Sequence, residues 1–392
     1  MENSISFESF IENKPLYYKE IDHERVHKAY AILKPYILRP LVIHIVGTNG
    51  KGSTGRIMAT LLNDDINRSV AHFSSPHILK FNERIWIDGK DITDTALDDA
   101  HRQLYAILGK EVSESLSYFE YTTLLAFVAT KEVDVLILEA GLGGEFDATN
   151  VIEKELSVIT PIGLDHQDFL GEKISDIART KLNSIEKQAL LGFQKYSEVY
   201  EIAKEIATKK GTKLYKLEKV KSNDLFETIQ NLGWADYLYE NTQLALKALD
   251  ILNLPYNLES LKKVTLFGRF YQIAPNITID VGHNLLATEA LVKAIEKKYN
   301  KKKIILVYNS LDDKDYEAIL KLFKPLIKWV EIIDIDTPRA IEYNRLTDVL
   351  DKLDIEYKKF ILTNKNNNYF IFGSFYVVEA FLEKIKYNIK NQ

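Results

Sequence analysis

Short runs of consecutive apolar, largely β-branched residues recur along this chain, and the polar residues gather at their C-terminal ends. Leu41-Val42-Ile43-His44-Ile45-Val46 runs into Gly47, and Val133-Asp134-Val135-Leu136-Ile137-Leu138 delivers Glu139 just before Gly141-Leu142-Gly143-Gly144. Leu156-Ser157-Val158-Ile159-Thr160-Pro161-Ile162 ends at Gly163-Leu164-Asp165-His166. Runs of this kind predict strands buried on both faces. Over Glu20–Leu33 the apolar spacing is helical, with Pro35 and Pro40 punctuating the approach to the first strand, and it is helical again over Arg56–Leu62. Strands alternating with helices predict an α/β fold on a mostly parallel sheet, where ligands collect beyond the carboxyl ends of the strands. All three glycine- or acid-bearing loops lie there.

After a helix over Asn241–Leu252, the segment from Leu254-Pro255-Tyr256-Asn257 to Gly268-Arg269 is polar, and we place a domain junction there, dividing the chain into 1–255 and 256–392. A second strand and helix alternation follows, with strands over Ile277–Val281, Lys303–Val307, Val330–Asp334 and Tyr369–Phe372. This smaller, Rossmann-like α/β unit carries its own loop, Asp280-Val281-Gly282-His283-Asn284, at a strand end. Asn364–Asn368 is a polar loop, and no internal repeat stands out.

The segment after the first strand, Gly47-Thr48-Asn49-Gly50-Lys51-Gly52-Ser53-Thr54, has the chemistry of a phosphate cradle. Glycines let backbone N–H groups converge on an anion, Lys51 neutralises terminal phosphates, and the Ser53 and Thr54 hydroxyls stand where a magnesium ion would be held. The commonest form of this loop has a glycine where this chain has Ile45, and a hydroxyl directly after the lysine, where this chain has Gly52. A chance glycine-rich turn is the plain alternative. A strand before and a helix after favour the phosphate reading, and make the N-terminal region a P-loop ATPase domain.

Composition narrows the partners. The 392 residues suffice for two or three domains, and 46% hydrophobic with 27% charged residues is ordinary for a globular enzyme. A net charge of -5 offers nothing global to a nucleic-acid backbone or an anionic membrane, and Lys301-Lys302-Lys303 reads as a solvated edge. Cysteine is absent, which removes disulfides, thiolate metal sites and thiol nucleophiles and fits a reducing compartment. Met1–Glu8 shows no basic region followed by an apolar core, and no apolar run approaches membrane-spanning length. The expectation is a cytoplasmic protein without membrane or nucleic-acid partners.

A nucleotide at Lys51 calls for a hard divalent cation held by oxygen ligands. Glu139, at the mouth of its strand, is the best carboxylate, although an acid after a buried strand also serves as an ordinary solvated turn residue. His166 divides evenly between packing and contact with metal or phosphate. Ser74–Ile85 is too polar at its centre for a buried element and too apolar for a linker, which suits a substrate loop; the alternative is a surface hairpin ending in Asp88-Gly89. No Ser/His/Asp or Cys/His set is present. A γ-phosphate can then phosphorylate a substrate carboxylate, which an amine attacks, with catalysis reduced to positioning and charge stabilisation. A kinase or a regulatory ATPase would use the same loop.

These residues together resemble a known family. Gly47–Ser53, Ser74–Ile85, Phe119-Glu120-Tyr121-Thr122-Thr123, Glu139–Gly144 with Asp147-Ala148-Thr149-Asn150, and Ile162–His166 are similar, in order and spacing, to the folylpolyglutamate synthase/dihydrofolate synthase family of the Mur ligase superfamily. Phe267-Gly268-Arg269-Phe270, Asp280–Asn284, Asp313-Lys314-Asp315 and Gly373-Ser374-Phe375-Tyr376 extend the resemblance over most of the chain. It implies a Mur-ligase-type ATP-binding domain over 1–255 and a glutamate-ligase domain over 256–392, meeting at a cleft. The implied reaction is ATP-dependent addition of L-glutamate to dihydropteroate, a folate, or both, through an acyl phosphate, by a monomer. By the same resemblance Gly47–Thr54 would bind ATP, with Lys51 and Ser53 on its phosphates. Ser75, Glu139 and His166 would coordinate magnesium, and Lys51, His166 and Lys181 would be catalytic. Asn241 would approach the adenine, Arg269 the phosphates, and Asp280 and His283 the nucleotide. Ser75, Pro76, His77, Phe81, Arg84, Phe119 and Glu120 would meet the acceptor.

Lys181 aligns with a lysine that is carbamylated in the family, but its setting, Thr180-Lys181-Leu182-Asn183-Ser184-Ile185, departs from the family's Glu-Lys-Ala-Gly-Ile. An unmodified lysine paired with Glu139 or Asp165 is the alternative. Phe267 replaces the family's proline and Val281 its alanine, and neither change removes a polar group. The resemblance leaves room for a monovalent cation, and the Ser74–Ile85 loop looks like that of bacterial members that use both acceptors. Another Mur-type amino-acid ligase and a non-catalytic ATP-binding regulatory module are the remaining readings.

Overall fold

The computed structural model describes residues 6–15, 22–38, 40–64, 68–218, 223–300 and 302–386. Met1–Ile5 of the N-terminal stretch, Glu20 and Ile21 of the expected first helix, and Lys301 of the basic run lie outside the described residues. The chain forms two compact units, Met1–Ile162 with Leu170–Lys219 and Asn241–Val264, and Gly163–Phe169 with Val220–Glu240 and Thr265–Gln392.

The first unit is built on eight strands: β1 (Leu41–Val46), β2 (Val70–Phe73), β3 (Ile85–Ile87), β4 (Lys90–Asp91), β5 (Val135–Glu139), β6 (Leu156–Ile159), β7 (Gln188–Leu191) and β8 (Lys213–Lys216). Their order is β4-β3-β2-β5-β1-β6-β7-β8, parallel except at β3 and β4. The alternation read from the sequence is therefore realised as a mostly parallel sheet. β1 lies between β5 and β6 and is buried from Val42 onward, which explains its unbroken apolar run.

Helices Glu24–Leu33, Asp94–Ser115 and Tyr118–Ala129 close one core with residues of β1, β2 and β5. Helices Ile174–Leu182 and Ser197–Lys210 close another with β1, β6 and β7. Tyr121–Val128 is buried residue after residue, so this stretch of the helix lies in the core on every face. β6 stops at Ile159, short of the expected Ile162, because Pro161 has no N–H for a ladder; its carbonyl accepts from Thr48 and Asn49 instead, at 2.9 and 3.3 Å. After β3, the Asp88-Gly89 pair, both with positive φ, turns the chain into β4 with Ile87 opposite Lys90.

The second unit has six strands: β9 (Tyr271–Ala274), β10 (Ile277–Ile279), β11 (Ile304–Tyr308), β12 (Ile327–Ile332), β13 (Tyr357–Lys359) and β14 (Tyr369–Phe372). They run in the order β13-β12-β11-β14-β10-β9, and only β9 is antiparallel to its neighbour. Phe323, Phe370 and Phe372 pack against one another in its core, with Phe323 and Phe372 centroids 5.1 Å apart. The Tyr343–Lys352 helix covers the core with Leu346 and Leu350, one turn apart. No helix among the described residues is long and apolar enough to cross a membrane.

Two histidines in the first sheet tie stability to pH. His44 on β1 and His72 on β2 are held well below the usual histidine range by burial, reinforced by the charges of Lys154 and Arg56 respectively. Both stay neutral when folded but take up a proton near pH 6.5 when unfolded, so unfolding absorbs protons below that pH. Their contribution is complete above about pH 6.5 and declines on acidification, by up to about 1.4 kcal/mol per pH unit for each. Urea unfolding between pH 7.5 and 5.5 should show the midpoint falling with pH, and His44→Gln should flatten that fall. An equal slope in the variant would contradict this account.

Candidate active site

In the first unit the site begins where β1 ends. Gly47 has φ 155° and Gly50 the left-handed φ of 86°, after which the Lys51–Leu62 helix starts. A Cβ on Gly47 would lie 1.9 Å from the Thr160 hydroxyl oxygen, so the loop passes β6 at a distance only glycine allows. The first-turn N–H groups of such a helix have no intrahelical acceptor and present the positive end of its dipole. Over them, Lys51 Nζ donates to the Gly47 and Thr48 carbonyls at 3.2 and 3.4 Å and lies 3.9 Å from Glu139 Oε1. Ser53 Oγ donates to Gly50 O at 3.1 Å and accepts from Asn241 Nδ2 at 2.7 Å. Lys181 Nζ, buried, donates to Gly47 O at 3.0 Å. The loop Gly47–Thr54, Lys181, Glu139 and Asn241 therefore meet at the start of this helix.

Glu139 is the last residue of β5, only 5% exposed, and its Oε2 faces the Ser75 amide at 3.4 Å. The glycines that follow it are crowded: a Cβ on Gly141 would strike the Phe119 ring at 2.5 Å, and one on Gly144 the Lys181 carbonyl at 2.7 Å. Asp147 fixes this loop by accepting from Leu142 N at 2.8 Å and from the amide and hydroxyl of Thr149, whose hydroxyl also meets His44 Nε2. Burial pushes the Asp147 carboxyl up against the effect of these bonds. Asp147 belongs to the Asp147-Ala148-Thr149-Asn150 motif, but nothing local in the sequence marks it as the loop's anchor. A carboxylate and a hydroxyl residue side by side are the donors a hard divalent ion takes, so Ser75 and Glu139 fit one.

The Ser74–Ile85 segment is a clasped loop. Glu83 accepts from the amides of Ile78, Leu79 and Lys80 at 2.7–2.8 Å. Arg84 donates from Nε to His77 Nδ1 at 2.8 Å, and its guanidinium lies 5.5 Å over Phe81 and 5.3 Å over Tyr118. Burial, then the Arg84 charge, lower His77 to about 4. Phe81 packs on Phe7 at 4.6 Å, and Phe119 approaches Phe73 at 6.2 Å. Pro76 follows Ser75 through a cis peptide bond. Glu120 has local partners: it accepts from Ser117 N at 2.7 Å in a capping box and pairs with Arg25 at 3.0 Å.

In the second unit Asp165, His166 and His283 bring their ligand atoms within 4.8 Å of one another, a set able to hold a metal ion. Asp165 Oδ1 accepts from Lys314 Nζ at 2.6 Å, and its Oδ2 accepts from Asn284 Nδ2 at 2.8 Å and lies 3.5 Å from His283 Nε2. Burial works to raise the Asp165 carboxyl, but the hydrogen bond and charge of His283, with the charges of His166 and Lys314, hold it well below the usual range. Asp280 accepts from Phe270 N, Gly282 N and the Tyr237 hydroxyl at 2.7, 2.7 and 3.2 Å, and burial raises it. Arg269 lies over the Phe375 ring at 5.2 Å. Lys314 belongs to the Asp313-Lys314-Asp315 motif, and nothing local in the sequence pairs it with Asp165.

No protein-family model matches the chain. Among curated proteins, it is 32% identical over 379 residues to the dihydrofolate synthase/folylpolyglutamate synthase of Buchnera aphidicola subsp. Schizaphis graminum, with 88% of each chain covered. The chain belongs to the dihydrofolate synthase/folylpolyglutamate synthase family. Helicobacter pylori folylpolyglutamate synthetase has a similar solved structure, with a TM-score of 0.79 and 39% identity over 97% of this chain and 98% of that one. So does the bifunctional folylpolyglutamate synthase/dihydrofolate synthase of Yersinia pestis complexed with AMPPNP and Mn ion, at 0.81 and 26% over 96% of each. The family and the two-sheet α/β class expected from the sequence both hold.

The left-handed glycine gives a direct check on the cradle. Gly50→Ala should fold yet bind ATP about tenfold more weakly, because a side chain costs about 1–2 kcal/mol in that conformation. Its Cβ would also press on Asn241 Oδ1 at 2.8 Å. Calorimetric titration with wild-type affinity would contradict the assignment.

Proposed function

We infer that this protein is an ATP-dependent amide ligase that adds L-glutamate to dihydropteroate and to folates. Family membership over most of the chain supports the reaction class. The observation that carries the reading to residues is the meeting of Lys51, Ser53 and Glu139 at one helix N-terminus beside the clasped Ser74–Ile85 loop. An acceptor carboxylate oxygen attacks the γ-phosphorus of ATP, the bond to the β-phosphate oxygen breaks, and ADP leaves. The glutamate amine then attacks the acyl carbon, phosphate departs with the carboxylate's oxygen, and the amine loses its proton as the amide forms.

In this scheme Gly47–Thr54 bind the phosphates through backbone N–H groups, and Lys51 balances the charge that develops on them. Asn241 orients Ser53 and stands toward the adenine. Ser75 and Glu139, with His166, are assigned to a magnesium ion, which when bound would screen the phosphate charge. Arg269, Asp280 and His283 are assigned to the nucleotide. The acceptor is assigned to Ser75, Pro76, His77, Phe81, Arg84 and Phe119, with Glu120 holding the start of its helix. Lys181 acts as an unmodified ammonium that donates to Gly47 O. The phosphate loop of ATP binding is assigned to 1–255 and glutamate binding to 256–392, which also lends Arg269, Asp280 and His283 to the nucleotide, and the enzyme works as a cytoplasmic monomer without a nucleic-acid partner.

The test is phosphate release from ATP with magnesium and L-glutamate, comparing dihydropteroate, tetrahydrofolate and no acceptor, with product masses read alongside. Stimulation by both acceptors with a glutamate-sized gain is expected, and stimulation by one reduces the enzyme to a single activity. Silence with both overturns the reading. Lys51→Ala should lower kcat by about 100-fold or more while leaving unfolding unchanged, as loss of a charge-stabilising group does. Unchanged turnover would remove the phosphate-loop assignment.

A further inference from the structure

The Asp313-Lys314-Asp315 motif has no part in the scheme above, yet Lys314 occupies one of the most constrained positions in the second unit. It is 7% exposed, and a lysine is seldom so buried unless its charge is matched. Its ammonium contacts Asp165 at 2.6 Å and Asp313 at 2.9 Å, and Arg339 pairs with Asp313 at 2.9 Å from the opposite side. Asp165 is equally committed. Besides Lys314, it accepts from Asn284 Nδ2 and, at 3.0 Å, from the His166 amide.

These contacts join three loops. Asp165 and His166 lie in the segment after β6, Asn284 caps the Leu285–Tyr299 helix and follows His283 directly, and Lys314 precedes the Tyr316–Phe323 helix. The two imidazoles face the same carboxylate, His283 Nε2 at 3.5 Å and His166 Nε2 at 4.0 Å. His166 is held at a positive φ of 52°, a region few non-glycine residues adopt, and its N–H donates to Asp165 Oδ1 in that turn. The carboxylate is thus the common reference for both rings, and the lysine is the cation that keeps it in place.

We propose that Lys314 is a positioning residue for His166 and His283, acting through Asp165 rather than touching substrate. The proposal rests on the assignment of those histidines to the metal and nucleotide. Lys314 supplies one charge-assisted bond to Oδ1 and leaves Oδ2 to Asn284 and His283, so each carboxylate oxygen has a fixed occupant. Without the ammonium the carboxylate can rotate, and both imidazoles lose their reference together. Lysine at this place does what a packing residue could not, because an apolar side chain would leave Asp165 Oδ1 without its closest charged donor.

The experiment uses the full chain. Lys314→Met keeps length and removes charge, Lys314→Arg restores charge, and Asp165→Asn removes the carboxylate. In Lys314→Met, kcat should fall about tenfold or more, as small misplacements of reacting groups do, with KM for the acceptor unchanged. The imidazole resonances of His166 and His283 in long-range proton–nitrogen spectra should move while the other six histidines hold still. Lys314→Arg should recover most of kcat, and Lys314→Met should cost nothing further in an Asp165→Asn background. Still resonances in Lys314→Met, or effects that multiply in the double variant, overturn the proposal. If Lys314→Met does not fold, Asp165→Asn alone decides, since it must move both imidazole signals. His166→Ala and His283→Ala separate the two claims: full activity in both defeats the functional assignment, whereas losses there with a normal Lys314→Met defeat only the role of Lys314.

Discussion

The contact of Gly47 with Thr160 fixes how closely β1 and its loop can pass the end of β6. A methyl group at Gly47 would overlap the Thr160 hydroxyl, and the same glycine's carbonyl takes the Lys51 and Lys181 ammonium groups. Because β1 lies between β5 and β6, that close passage sets three chain ends at once. Glu139 comes off β5 level with Ile45, and the Pro161 carbonyl after β6 receives the Thr48 and Asn49 amides. Lys51 is then carried over the helix N-terminus with Glu139 beside it. The site in this unit is a consequence of strand order in a parallel sheet, where loops leave from one edge.

Buried carboxylates hold the remaining loops, and their environments separate them by type. Asp147 and Asp280 take neutral donors, mainly amides and hydroxyls, and burial raises both. Asp165 takes an ammonium and faces two imidazoles, and it is held low despite burial. A neutral-donor clamp shapes the backbone on which ligand-binding atoms are displayed, as Asp147 does for the glycines after Glu139. A cation-bound carboxylate instead carries full charge at the place where side chains must be oriented. One residue type thereby serves loop shape in two places and ring orientation in a third.

The parts legible in the sequence were those whose signal is local. β1, β5, β6 and β14 announced themselves because strands buried on both faces must be apolar throughout, and the glycines after β1 because backbone conformation demands them. β3, β4, β8 and β13 are short or partly exposed, so their alternation is too weak to mark them as strands. The contacts that complete the site are not local at all. Asn241 reaches Ser53 across 188 residues and Lys314 reaches Asp165 across 149, so no spacing rule connects them. The family resemblance placed Asn241 in the nucleotide site, but its bond to Ser53 could be read only from the folded chain.

The Ser74–Ile85 loop shows why a segment that is neither core nor linker can still be well defined. Its backbone amides would be costly to leave unpaired, and one side chain, Glu83, receives three of them in succession. Arg84 then ties the loop to an aromatic wall, with His77 accepting from its Nε and Phe81 and Tyr118 beneath the guanidinium. An arginine has no acceptor to offer, so the proton of a neutral His77 must reside on Nε2, and the loop presents a donor there. The loop therefore sets a fixed donor beside tilted and edge-on aromatic rings, and its apolar residues serve the wall while its polar ones serve the clasp.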